Sequence, residues 1–179
     1  MDNIFSDFKA VESASQEIIR EYEDSLPKEI IDIWRLHGFG SFFNGYIKVV
    51  NPNDYRQVLE ESYFRNDVAI PIFTTGLGDI ITWEENKYLM LIKYRKSQLK
   101  GISFKYFFSD LEDEEFVEEE LDSTQYFSAV EKHGSLKQEE CFGYTPLLGL
   151  GGAEKVDNLK KVKLKEHIMI ITEFMGPIQ

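Results

Sequence analysis

The spacing of apolar residues changes character along the chain, and each change marks an element. From Ile4 to Tyr22, Ile4, Phe8, Val11, Ser15, Ile18, Ile19 and Tyr22 recur at intervals of three and four, which predicts an amphipathic helix. A second helix is better punctuated. Asp24 or Ser25 can cap it, Pro27 stands near its first position, Ile30, Ile31, Ile33 and Trp34 form its stripe, and Gly38 stops it. The segment from Gly38 to Gly45 is rich in turn formers and leads into a strand-like run, Tyr46–Val50. Asn51-Pro52-Asn53-Asp54 then reads as a turn and cap for a short helix, about Tyr55 to Tyr63.

The period next falls towards two. Val68–Phe73, Ile80–Trp83 and Lys87–Tyr94 are strand-like runs, and Gly101–Phe108 alternates, with Ile102, Phe104, Tyr106 and Phe108 on one side. Short turns between these runs imply an antiparallel meander rather than crossover units. Pro71 cannot donate to a ladder, so its strand is expected at an edge or bulged there. After Ser109 the texture changes again. Asp110–Asp122 is acidic, Gln125–Lys132 reads as a helix ending at His133-Gly134, and Cys141–Gly152 is hydrophobic and punctuated by glycine. A last helix spans about Leu164 to Met175, with Ile168, Ile171 and Met175 on one side, and stops at Gly176-Pro177. Helices, then a sheet, then helices predict an α+β fold whose central antiparallel sheet has about four to six strands. Two lobes are expected, residues 1–109 and 110–179, packed together or merged into one domain.

Composition narrows the function. The 179 residues, 42% hydrophobic with fourteen Phe, suffice for a packed core. The net charge of −12 argues against gripping nucleic acid, which is bound through clustered Lys and Arg, and suits a basic partner. The single Cys141 cannot form an internal disulfide. Met1-Asp2-Asn3-Ile4-Phe5 has no basic stretch leading into an apolar one, so no signal peptide is expected. The longest apolar runs, such as Ile168–Ile171, are far short of a bilayer span. The expectation is a cytoplasmic protein, monomeric or a weak homo-oligomer, without membrane or nucleic-acid partners.

Catalytic templates find little purchase. His37, His133 and His167 are isolated and read as surface histidines, and one Cys cannot build a structural zinc site, so no metal or other cofactor is expected. Cys141 lies between Glu139-Glu140 and Phe142, where like charge and desolvation disfavour the thiolate, so a buried structural role is expected. Gly38-Phe39-Gly40 and Gly149-Leu150-Gly151-Gly152 lack the Lys-Ser/Thr of a phosphate loop and the parallel context of a dinucleotide site. Asp79, in a tight connection between strands, could act with Glu84 or Glu85 as an acid–base pair, or simply bond its own turn backbone.

The acidic run is the most unusual feature. Asp110, Glu112, Asp113, Glu114, Glu115, Glu118, Glu119, Glu120 and Asp122 put nine carboxylates into thirteen residues without one base. Leu111, Phe116, Val117 and Leu121 can tether the segment to a core while the acids face water. It is either a solvated flank or a surface that steers a basic partner. Affinity would then need aromatic anchors, and Tyr126 and Phe127 are nearest, unless they serve the core of their own helix.

Gly38–Tyr46, Asn51-Pro52, and Ala69-Ile70-Pro71-Ile72-Phe73-Thr74-Thr75-Gly76-Leu77-Gly78-Asp79 with Trp83-Glu84 resemble the GAD-like domain family. Glu140-Cys141-Phe142-Gly143-Tyr144-Thr145-Pro146-Leu147-Leu148-Gly149-Leu150-Gly151-Gly152, followed by Leu164-Lys165-Glu166-His167, resembles the C-terminal domain found beside it. That domain is named for the immunity protein of a type VI secretion DNase effector. Leu26-Pro27, Trp34, Gly38 and Gly78-Asp79 are also remotely similar to SUKH-type immunity proteins. The resemblance implies a cytoplasmic antidote that binds a cognate toxin, often a nuclease, and blocks its active site or substrate channel; it implies no catalytic residues. A nuclease presents Lys and Arg where phosphates bind, which an acidic inhibitor can meet. The leading expectation is therefore a non-enzymatic binder of a basic toxin. The alternative is a small-ligand-binding or regulatory module with a pocket between the sheet and the C-terminal helices, motivated by Leu147–Gly152 and the aromatic excess.

Overall fold

The alternating runs do form an antiparallel meander, and it is wider than their number suggests. The computed structural model describes residues 4–179, so the first three residues of the N-terminal stretch read for a signal peptide lie outside it. Among the described residues seven strands follow one another in sequential order: β1 (Lys9–Glu12), β2 (Phe39–Phe42), β3 (Ile47–Val49), β4 (Ala69–Thr75), β5 (Ile80–Glu84), β6 (Tyr88–Lys93) and β7 (Gln98–Ile102). The α+β class stands; the additional strands come from stretches whose sequence pointed elsewhere.

The first of these is the N-terminal stretch, where one helix over Ile4–Tyr22 was expected. Only Gln16–Tyr22 is helical (α1), with Ser15 accepting from the Ile18 amide at its start. Upstream, Phe5 is buried, and Lys9–Glu12 is exposed throughout and runs as a strand against β2. Backbones come so close there that a Cβ on Gly40 would strike the Lys9 carbonyl. The second is the segment after Gly38, read as turn and found as β2. Its turn proper is Phe43-Asn44, both at positive φ, held by the Asp7 carboxylate, which accepts from the Phe43 amide at 3.1 Å.

The third difference is Gly101–Phe108. Here β7 ends at Ile102 and a helix, α4 (Phe104–Asp110), begins. Phe104, Phe107, Phe108 and Leu111 also share helical spacing; Phe107 and Leu111 are buried, whereas Tyr106, inward in the strand reading, is half exposed. Pro71 sits in the interior strand β4, where the register with β5 shifts between Pro71 and Phe73, so the bulge is realised and the edge is not.

Both sheet faces are covered. One cluster joins α1 and α2 (Lys28–His37) to α4, α5 (Glu114–Leu121) and α6 (Ser123–His133) through Trp34, Phe42, Phe73, Ile81, Phe107, Leu121 and Ala129. The other packs α3 (Arg56–Ser62) and α7 (Leu164–Met175) around Tyr63, Ile80, Ile92 and Ile168. The C-terminal glycine-punctuated segment contributes a hairpin, β8 (Glu140–Tyr144) with β9 (Leu159–Lys163), that forms its own two-stranded sheet. Alternate residues of β8 serve the two clusters: Phe142 and Tyr144 the first, Cys141 the second. Among the described residues no helix is long and apolar enough to cross a membrane.

Candidate functional site

The acidic run builds a surface ridge because its four apolar residues point the other way. Val117 and Leu121 are buried beneath α5, Leu111 is buried just before it, and Phe116 is half-buried. Asp113 caps the helix, its carboxylate accepting from the Glu115 amide at 2.9 Å and the Phe116 amide at 3.4 Å. Glu112, Glu114, Glu115 and Glu119 are exposed and make no ion pair among the described residues.

Glu118, Glu120 and Asp122 have internal partners. Glu120 pairs with Lys100 at 2.7 Å. One oxygen of Glu118 accepts from the Thr124 amide at 2.9 Å, the Thr124 hydroxyl at 2.6 Å and the Ser123 hydroxyl at 3.0 Å, which hold its carboxyl below its ordinary pKa and fix the start of α6. Asp110 is half-buried. Asp122, at φ 53° between α5 and α6, receives Lys96 at 2.7 Å, Lys93 at 3.5 Å and the Arg95 guanidinium. Burial works to raise its pKa, but the Lys96 bond and the charges of Arg95 and Lys93 outweigh it and leave the carboxyl lowered.

Tyr126 is corrected. It was a candidate surface anchor, yet it is 2% exposed, with its ring centroid 4.5 Å from that of Tyr46 and its hydroxyl donating to the Asn44 carbonyl at 3.2 Å. Its neighbour Phe127 is 37% exposed and meets Phe43 edge-on at 6.2 Å. Beside them lies an open groove of about 520 Å³ lined by Phe43, Leu111, Val117 and Phe127 together with Glu112, Glu114 and Glu118.

Asp79 and its turn prove to be a junction. The Asp79 carboxylate is buried, accepts from the Thr75 hydroxyl at 3.0 Å, and pairs with Arg95, which also pairs with Asp122. The expected bond to its own turn backbone is replaced by these side chains; Thr75 in turn accepts from the Asp79 amide at 3.2 Å. Gly76 lies under the Tyr126 ring, where any Cβ would collide, and its carbonyl accepts from the Phe142 amide at 2.7 Å. Nearby, the buried Lys48 ammonium donates to the Lys137, Gln138 and Glu140 carbonyls, and burial lowers its pKa to about 8. The turn motif and the C-terminal segment therefore interlock through Tyr126, Phe142, Asp122 and residues 137–140. Asp79, Asp122 and Tyr126 stand out in the sequence, but nothing in its spacing links Asp79 to Arg95 or Lys48.

The other candidates resolve differently. Glu84 is buried and accepts from Tyr63 at 2.9 Å, Thr82 at 2.9 Å and Arg65 at 3.0 Å, while Glu85 binds the other side of Arg65. Asp79 and Glu84 are thus separately locked by cations. Cys141 is buried and burial pushes its thiol up to about 12, which matches a structural cysteine. His167 was read as a surface residue; it is buried under Gly143, and burial lowers its pKa. His37 stacks on Phe5 at 5.3 Å. Gly149 packs against Met175, and Gly151 takes a left-handed turn at φ 86°. Among the described residues no group of three or more His, Cys, Asp or Glu is arranged to hold a metal ion.

Comparison with known proteins relates the chain to two families and to a solved structure. No curated protein matches it. The crystal structure of Atu4351 from Agrobacterium tumefaciens matches with a TM-score of 0.76 at 16% identity, covering 96% of this chain and 88% of that one, so the two share a fold. Residues 102–175 match the family described as T6SS immunity protein Tdi1, C-terminal, which takes in the acidic ridge, α6, the β8–β9 hairpin and α7. Residues 2–94 match the GAD-like domain, which spans the sheet as far as β6 and the Asp79 turn. The chain belongs to the GAD-like domain family, and its residues 102–175 are similar to the C-terminal segment of the T6SS immunity protein Tdi1 family.

Proposed function

We propose that this protein is a type VI secretion immunity protein: a cytoplasmic, non-enzymatic binder that neutralises a cognate basic nuclease toxin by masking its active site or substrate channel. One observation carries the reading. The segment matched to the immunity family presents exposed, unneutralised glutamates along α5. A nuclease exposes Lys and Arg where phosphates bind, and carboxylates of this kind complement them. The lobes 1–109 and 110–179 act as one unit, a reading supported by the Arg95 bridge between Asp79 and Asp122.

The test is co-expression with the product of the neighbouring gene. A toxic neighbour whose toxicity this chain abolishes, and which co-purifies with it, is the expected result. A neighbour without toxicity, together with no rescue of intoxicated cells, overturns the proposal.

A further inference from the structure

The groove between α5 and α6 joins apolar walls to a one-sided charge, a combination that neither the core nor solubility requires. Phe127 is exposed at 37% although it belongs to a helix whose inward residues, Tyr126 and Ala129, are buried. Phe43 is half-buried and stands on a turn held by Asp7. These rings share the groove with Glu112, Glu114 and Glu118. Three observations indicate what fills it.

The first is charge. Glu112 and Glu114 have no cation beside them among the described residues, and Glu118 spends one oxygen on the start of α6 while the other makes no bond. The second is the repulsion built into α5. Glu114 and Glu118, both on the groove, are like charges four residues apart. A cationic occupant relieves that repulsion. The third is the floor: aromatic faces suit the aliphatic stem and charged head of Arg or Lys better than a purely apolar side chain would.

The geometry points to this groove as the docking site for an Arg- or Lys-bearing segment of the partner protein, with the stem against Phe43 and Phe127 and the head between Glu112 and Glu114. This rests on the immunity reading and specifies the surface through which it would act. Of the two candidate aromatic anchors, Tyr126 and Phe127, it keeps Phe127 alone.

The experiment is isothermal titration of the full chain with the product of the neighbouring gene, inactivated at its catalytic site. The variants are E112K/E114K and Phe127→Glu, with E60K/E173K on α3 and α7 as a charge-matched control. Both groove variants change exposed side chains, and their melting curves establish folding. The expected result is affinity lower by about 100-fold or more for each groove variant, with the control within about threefold of the parent. Groove variants that bind like the parent overturn the docking site and leave the immunity reading standing. Sedimentation showing that the groove variants dissociate a homodimer also overturns it, because a second copy would then be the occupant. If the parent chain binds no neighbouring product, the immunity reading fails and the docking site falls with it.

Discussion

Arg95 concentrates more of the buried charge than any other side chain discussed, and its surroundings show how a candidate catalytic carboxylate can be structural. Desolvation works against the guanidinium, and the charges of Asp79 and Asp122 more than restore it, so its pKa is raised. Removing one partner of a buried pair strands the other. Asp79→Asn is expected to lower stability by about 3 kcal/mol, the low end for a broken buried pair because Asp122 still faces the guanidinium; urea denaturation reads it. Cys141 makes a second residue-level prediction. With its thiol buried and pushed up to about 12, it should resist a thiol reagent in the folded protein and react once the chain is unfolded in urea. Labelling at the rate of a free cysteine without denaturant would contradict the burial described.

Elements differ in how much of their stability is local. In α5 the Asp113 cap is local, and Asp113→Ala should cost about 1 kcal/mol, seen as a lower melting temperature. Its last turn behaves in the opposite sense. Glu119 is exposed beside the negative helix end, so Glu119→Lys should stabilise by about 0.3–1 kcal/mol, measured in the same way. Helices α2, α6 and α7 were readable from apolar spacing and a stopping glycine, and α3 from its spacing and the Asn51-Pro52 turn before it. None has a side-chain cap, so the expected Asp24 or Ser25 cap of α2 is absent and Pro27 stands there instead. The alternation Ile102-Phe104-Tyr106-Phe108 misled because Phe104, Phe107, Phe108 and Leu111 fit a helix equally, and a short apolar run does not separate the two periods. Strand β1 could not be read at all, since it has no apolar face and takes its shape from pairing with β2.

Across the whole molecule the seven-stranded sheet and the C-terminal segment meet through the Gly76–Asp79 turn, the Lys48 ammonium and Asp122. The Asp122 carboxyl is lowered in the folded protein, so its contribution is fully present above its unfolded value of about 3.9 and is lost as pH falls through the lower folded value. Asp122→Asn should therefore flatten the acid limb of the stability curve below about pH 4, followed by thermal melting at a series of pH values. Unchanged acid sensitivity in that variant would show that other carboxylates govern the limb.

Within the sequence alone lay the α+β class, an antiparallel meander without its strand order, the exposure of much of the acidic run and the family signatures, because each is written in residues close together along the chain. Which acids remained free was not written there. Asp122, Glu118 and Glu120 have partners at Arg95, Thr124 and Lys100, Tyr126 closes over Gly76, and Phe127 is left outside. A side chain's exposure and charge balance depend on what folds against it from far along the chain, and only the assembled structure decides that.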